Sequence, residues 1–166
     1  MDLPYLLTQQ ETVACIVQAE ADYGIPMLLI EAVYLTEGGK VGYAVRNKNG
    51  SYDVGPMQIN WGKHSTWGRY FERTYGLDIK RLAWDTCANF RAGAYVLRKA
   101  YAQTGNWDRA VAVYHAGSET RANADRRKKY ARTVARHYFR LRQFYSAGTY
   151  RSPGIQYATV TMVGMK

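Results

Sequence analysis

The stretch EGGKVGYAVRNKNGSYDVGPMQIN, from Glu37 to Asn60, decides how the chain is read. An acid stands at its head. A polar Gly-rich loop follows, then a second acid at Asp53 and a tight turn into Met57, Gln58, Ile59 and Asn60. Upstream, Pro26 suits a first helical position, and Leu28, Leu29, Ala32, Val33 and Leu35 recur at helical spacing. Gly38 and Gly39 supply the stop. Glu37 thus falls at the C-terminal end of a buried helix, where the helix dipole and apolar neighbours both disfavour its charged form. Both effects raise its pKa toward that of a group that holds a proton near neutrality and can release it. The alternative is a solvated helix-end residue.

Outward from this stretch the pattern is helix after helix, and the fold class is all-α. Thr8 and Glu11 form a capping box, followed by Val13, Ile16, Val17 and Ala21 on one face, with Gly24 as the stop. The loop from Gly38 to Pro56 contains the turn cluster NKNGSYD, which suits a short hairpin, and a loop of this length inside a domain is usually functional. The segment WGKHSTWGRYFERTYG holds a helix ending at Gly76, with a short turn from Leu77 to Trp84. Asp85 caps a longer helix through Cys87, Phe90, Ala94, Leu97 and Tyr101, closed by Gly105. Trp107 to Ala116 is another helix. A last one runs from about Ala122 to Phe144, with Tyr130, Val134, Tyr138 and Leu141 facing inward. Residues 1–145 thus read as one domain. Residues 146–166 lose helical periodicity and read as a flexible or docking tail.

A chain of 166 residues suits one domain and can bury roughly 70% of its unfolded surface. Its net charge of +10 favours polyanionic partners: nucleic acid, anionic lipid or bacterial cell wall. No apolar run approaches the roughly 20 residues needed to span a membrane. MDLPYLL is too short and uncharged for a secretory signal, so either the protein stays inside or the chain was cut and restarted at Met1. Cys15 and Cys87 have no spacing that suggests zinc. They are two reduced core residues, or one disulfide across 72 residues, worth about 4 kcal/mol in the chain-entropy model.

Glu37 at a helix end, DVGPMQIN from Asp53 to Asn60, AVYHAG from Ala112 to Gly117, and Tyr130 on the last helix follow one another in a recognisable order. Together they resemble the motifs of lytic transglycosylases with a lysozyme-like fold. The similarity is greatest to the small specialised members that accompany secretion, conjugation and pilus systems. Those share the NxNGxxDxGxMQIN pattern and cysteines at the positions of Cys15 and Cys87. The resemblance implies cleavage of peptidoglycan between N-acetylmuramic acid and N-acetylglucosamine, with Glu37 as general acid and then general base, and with no metal or cofactor. It also implies work outside the cytoplasm, hence a Cys15–Cys87 disulfide. The expected partners are glycan strands and components of a secretion, conjugation or pilus apparatus.

Other residues take their roles from the same resemblance. Met57 and Gln58 would line the glycan groove, Tyr114 would orient Glu37, and Tyr130 would join the substrate-binding set. Gly55 would let backbone approach the sugar closely, while Gln58 and Asn60 offer amides to hydroxyl and N-acetyl groups. Asp53, 16 residues after Glu37, is also similar to the second acid of animal-type lysozymes. It would stabilise an oxocarbenium ion or act as nucleophile in a hydrolytic muramidase, or else simply cap the turn before Gly55. Two positions depart from the family: His115 stands where Asn is usual, and Gly38 where Ser is usual. His115 is assigned no catalytic role.

The rival reading lies in the last helix. Arg121, Arg126, Arg127, Lys128, Lys129, Arg132, Arg136, Arg140 and Arg142 are offset only by Asp125, with Tyr130 and Tyr138 interleaved. Basic residues with aromatics among them suit a nucleic-acid binder, although nothing resembles a known nucleic-acid module and no specific nucleic acid is expected. The same face would also hold anionic cell wall, as would a wall-binding scaffold that had kept the groove without activity.

Overall fold

The computed structural model describes residues 10–146. In chain order these form α1 (Gln10–Tyr23), α2 (Met27–Glu37), β1 (Ala44–Arg46), β2 (Tyr52–Val54), β3 (Ile59–Trp61), α3 (Thr66–Tyr75), α4 (Ile79–Trp84), α5 (Thr86–Thr104) and α6 (Trp107–Ala116). A 3-10 turn (Arg121–Asn123) then leads into α7 (Ala124–Ser146). The fold is lysozyme-like and mostly helical. Thr8, half of the expected capping box, lies outside the described residues, as does the expected tail of 146–166 apart from Ser146, which closes α7.

Helix α2 is the one the others enclose. Met27 through Val33 are all buried and, apart from Glu31, apolar, so this stretch of the helix is enclosed on every side. Helix α1 packs on α5, α5 on α6, α6 on α7, and α7 back on α2. The Cys15–Cys87 disulfide joins α1 to the first turn of α5 across a sequence separation of 72. Helix α7 presents Tyr130, Val134, Tyr138, Leu141 and Tyr145 to the core.

Three observations refine the sequence reading. The turn-rich loop supplies β1 and β2, and the segment after it adds β3, so that a three-stranded antiparallel sheet in the order β1-β2-β3 stands where a short hairpin was expected. Its register sets Val45 against Asp53 and Asp53 against Asn60, with Val54 paired to Ile59. Because side chains alternate across a strand, Val54 and Ile59 enter the core while Asp53 and Asn60 share the opposite face. The segment expected as a short turn from Leu77 to Trp84 contains helix α4. Asp78 caps it by accepting from the Arg81 N–H, and Leu82 and Ala83 anchor it in the core. No helix among the described residues is long and apolar enough to cross a membrane.

Candidate active site

Helix α2 ends at Glu37 because Gly38 takes up a left-handed conformation (φ 65°) and returns its N–H to the Tyr34 carbonyl. The next residue, Gly39, meets the turn at 55–58 so closely that a Cβ there would overlap the Gly55 carbonyl. This contact brings the carboxyl of Glu37 and the DVGPMQIN turn to one place.

A cleft of about 450 Å³ opens there. Glu37, Tyr114, His115 and Arg126 line it from the helices, and Asn47, Asn49, Ser51, Asp53, Gln58 and Asn60 from the sheet side. The sheet wall is a hydrogen-bonded mesh. Asn60 donates from Nδ2 to Asp53 Oδ1 (2.9 Å) and to Ser51 Oγ (2.9 Å), Asn47 donates to the same Oγ (3.1 Å), and Ser51 donates to Asn49 Oδ1 (2.8 Å). It offers a ready set of donors and acceptors for sugar hydroxyl and amide groups.

On the helical wall the Glu37 side chain is only 13% exposed. Its Oε1 accepts a 2.5 Å hydrogen bond from the Tyr130 hydroxyl. Burial raises its pKa to about 7, the Tyr130 bond opposes that rise, and the charge of Asp53 adds to it. Desolvation thus dominates the raised pKa expected at the helix end. Below about pH 7 this carboxyl carries a proton, and with Oε1 taken by Tyr130 as acceptor, the proton belongs on Oε2. Tyr130 itself is buried among apolar groups beside Glu37, which pushes its phenol well above the ordinary tyrosine range. His115 stacks flat on Tyr130, with ring centres 4.2 Å apart and planes 8° apart, and its Nδ1 lies 4.0 Å from Glu37 Oε1. Burial lowers the pKa of His115, nearby Arg126 lowers it further, and Asp53 opposes them.

Several expected contacts fall elsewhere. The hydroxyl of Tyr114 donates to the Met57 carbonyl (2.6 Å), so the hydroxyl that holds Glu37 is that of Tyr130 and not that of Tyr114. The side chain of Met57 does not line the groove. It is fully buried, packed so tightly on Gly93 of α5 that a Cβ there would collide with it. The close approach at Gly55 is to protein rather than to sugar, since a Cβ there would strike the Asn89 amide and the Leu82 carbonyl. Gln58 adopts φ 51°, half-buried, and donates from Nε2 to the Gly55 carbonyl (2.9 Å), which locks the turn while the side chain remains part of the cleft wall.

Asn89 was missed in the sequence. Fully buried on α5, it accepts from the Met57 N–H (2.8 Å) and donates to the carbonyls of Val54 and Leu82 (both 2.9 Å). The available signal was a polar residue in helical line with Gly93 and Val96 on a buried face, where an amide needs partners. Glu31 was missed as well. This second buried acid of α2 accepts from the Tyr145 hydroxyl (2.8 Å), and burial raises its pKa to about 7.

The profile of the family described as "Transglycosylase SLT domain" matches residues 14–136. The chain is 31% identical over 131 residues to Invasion protein IagB of Salmonella typhi, covering 78% of each chain. It is 32% identical over 130 residues to the protein of the same name in Salmonella typhimurium LT2, covering 77% of each. It is 34% identical over 128 residues to Protein IpgF of Shigella sonnei, covering 76% of this chain and 80% of that one. A family match spanning most of the domain, on a lysozyme-like helical fold with a protonatable carboxyl in its cleft, makes the chain a member of the SLT transglycosylase family and a lytic transglycosylase of peptidoglycan.

Proposed function

We propose that the protein cleaves the bond between N-acetylmuramic acid and N-acetylglucosamine without consuming water, releasing an anhydro-muramyl end. The observation that carries this is the buried carboxyl of Glu37 on the helical wall of the cleft, protonated near neutrality and held by Tyr130. Glu37 first gives its proton to the glycosidic oxygen as an oxocarbenium-like centre develops at the muramyl anomeric carbon. The resulting carboxylate then takes the proton of the muramyl primary hydroxyl, whose oxygen closes on that carbon. The acid is regenerated, and atoms balance with no second nucleophile. One carboxyl serves both steps because its pKa lies near the working pH.

Asp53, tied to its strand partner Asn60 on the sheet wall, supports the cationic centre electrostatically, and Gln58, Asn60 and their neighbours on the sheet hold the sugar. Gly55, Met57 and Tyr114 shape the turn behind that surface. The disulfide suits an oxidising, extracytoplasmic compartment such as the periplasm. The invasion-protein relatives support local opening of the wall for a secretion, conjugation or pilus apparatus. A nucleic-acid role is disfavoured because Tyr130 and Tyr138, the tyrosines interleaved among the α7 arginines, are buried and cannot stack on bases, which leaves Phe139 as the exposed ring between Arg136 and Arg140.

The test is turnover of purified peptidoglycan by Glu37→Gln and Asp53→Asn. Glu37→Gln should lose on the order of 10²- to 10⁴-fold in rate, while Asp53→Asn should stay within about tenfold of wild type, the size of a supporting charge. Equally deep losses in both would point instead to a hydrolytic muramidase with two essential acids.

A further inference from the structure

His115 stands on α6 between the cleft and the pair that holds the catalytic proton. Its ring lies flat on Tyr130 at 4.2 Å, and Tyr130 in turn donates to Glu37 Oε1. Its Nδ1 is 4.0 Å from that same oxygen, too far for a hydrogen bond but close enough for a charge on the imidazole to act on the carboxyl. We propose that His115 is a positioning residue for Glu37, stacking Tyr130 onto the carboxyl and, by remaining uncharged, leaving the carboxylate basic enough to recover its proton in the second step. This rests on the proposed role of Glu37 as general acid and then general base.

The groups that face His115 decide its charge. From α2 comes Glu37, neutral while it holds its proton; from the sheet, the carboxylate Asp53; from its own helix, the un-ionised Tyr114. From α7 come the phenol of Tyr130 and the guanidinium of Arg126. Among the described residues no ion pair to a carboxylate is found for Arg126, whereas its neighbour Arg127 is bound to Glu119 at 3.2 Å. Arg126 therefore repels a proton from His115, and partial burial acts in the same direction. Asp53 alone pulls the other way.

A proton on His115 would set a positive charge beside Oε1 and over the face of Tyr130. The charge stabilises the carboxylate directly. It also draws electron density from the phenol, which makes the hydroxyl a stronger donor to that carboxylate. Both effects weaken that carboxylate as the base that must take the muramyl hydroxyl proton in the second step. The competent form pairs neutral His115 with protonated Glu37. That form exists between the depressed pKa of His115, below 6.5, and the Glu37 value of about 7. The acid limb of the pH–rate profile then belongs to His115 and the basic limb to Glu37.

The test combines the pH dependence of glycan cleavage with an NMR titration of the imidazole. His115→Phe keeps a ring on Tyr130 but cannot titrate, and should move the acid limb down by about one pH unit or more, about tenfold in relative rate at its foot. Arg126→Gln removes the repelling charge and should move that limb upward. In the NMR titration of the three histidines, the resonance absent from His115→Phe identifies His115. In the wild type that resonance should also sense the ionisation of Glu37 as an inflection near pH 7, which Glu37→Gln should abolish, because the two groups are coupled. An acid limb unmoved in His115→Phe, together with a His115 titration indifferent to Glu37→Gln, would overturn the proposal. Absence of any Glu37-dependent product would remove the proposed reaction instead, and the NMR titration would still decide whether the two groups are coupled.

Discussion

Glu37 and Tyr130 stand 93 residues apart in the chain and 2.5 Å apart at their oxygens. The hydroxyl donates to the carboxyl and so stabilises its charged form, opposing the upward pull of burial. Tyr130→Phe removes that opposition and leaves the ring in place. The Glu37 pKa should rise, so the acid should stay protonated to higher pH and the basic limb of kcat/KM should move upward. The rate at the optimum should fall about tenfold as the carboxyl loses its orienting bond, about the value of one hydrogen bond to a charged group. A pH–rate profile checks both effects, and an unmoved basic limb would contradict this account. At this scale Glu37 was legible, since a carboxylate at the end of an apolar helix is conspicuous. The inward turn of Met57 and the direction of Tyr114 were not. Both involve the turn in which Gln58 adopts φ 51°, a conformation that its residue type does not announce.

Helices α2 and α7 are joined by two bonds of the same kind, Tyr130 to Glu37 and Tyr145 to Glu31. Glu31 is 4% exposed, and its pKa rises from 4.5 to about 7 through burial. The native state therefore binds this proton more tightly than the unfolded chain does. Its contribution to stability is complete below about pH 4.5 and is lost as pH rises through 7, a change of about 3 kcal/mol. Glu31→Gln should lose less stability than wild type between pH 5 and pH 8, by up to that amount, in urea unfolding followed at both pH values. Equal losses in the two proteins would show that the carboxyl does not carry its proton in the fold. Most helices were legible, because caps and stops bracket apolar stripes, as Asp85 and Gly105 do for α5. The sheet was only half legible, since strands of three residues are too short to show alternation. Helix α4, a single capped turn and a half, was hidden for the same reason.

Across the whole molecule, a net charge of +10 draws the protein toward polyanions, and the cleft selects among them. The charge was legible from composition, but its partner was not, because an arginine face looks alike to wall, lipid and nucleic acid. Packing separates them by burying the α7 tyrosines and leaving the sugar-sized cleft open. The disulfide could not be read from spacing alone, since two cysteines 72 residues apart meet only when α1 and the start of α5 are packed together. The central claim is that Glu37 alone moves the proton in both directions and that no water enters. Mass spectrometry of muropeptides released from purified peptidoglycan, with Glu37→Gln alongside, tests it most directly. The account predicts anhydro-muramyl ends, lighter than hydrolysed ends by one water, that vanish in the variant; Glu37-dependent reducing ends would contradict it.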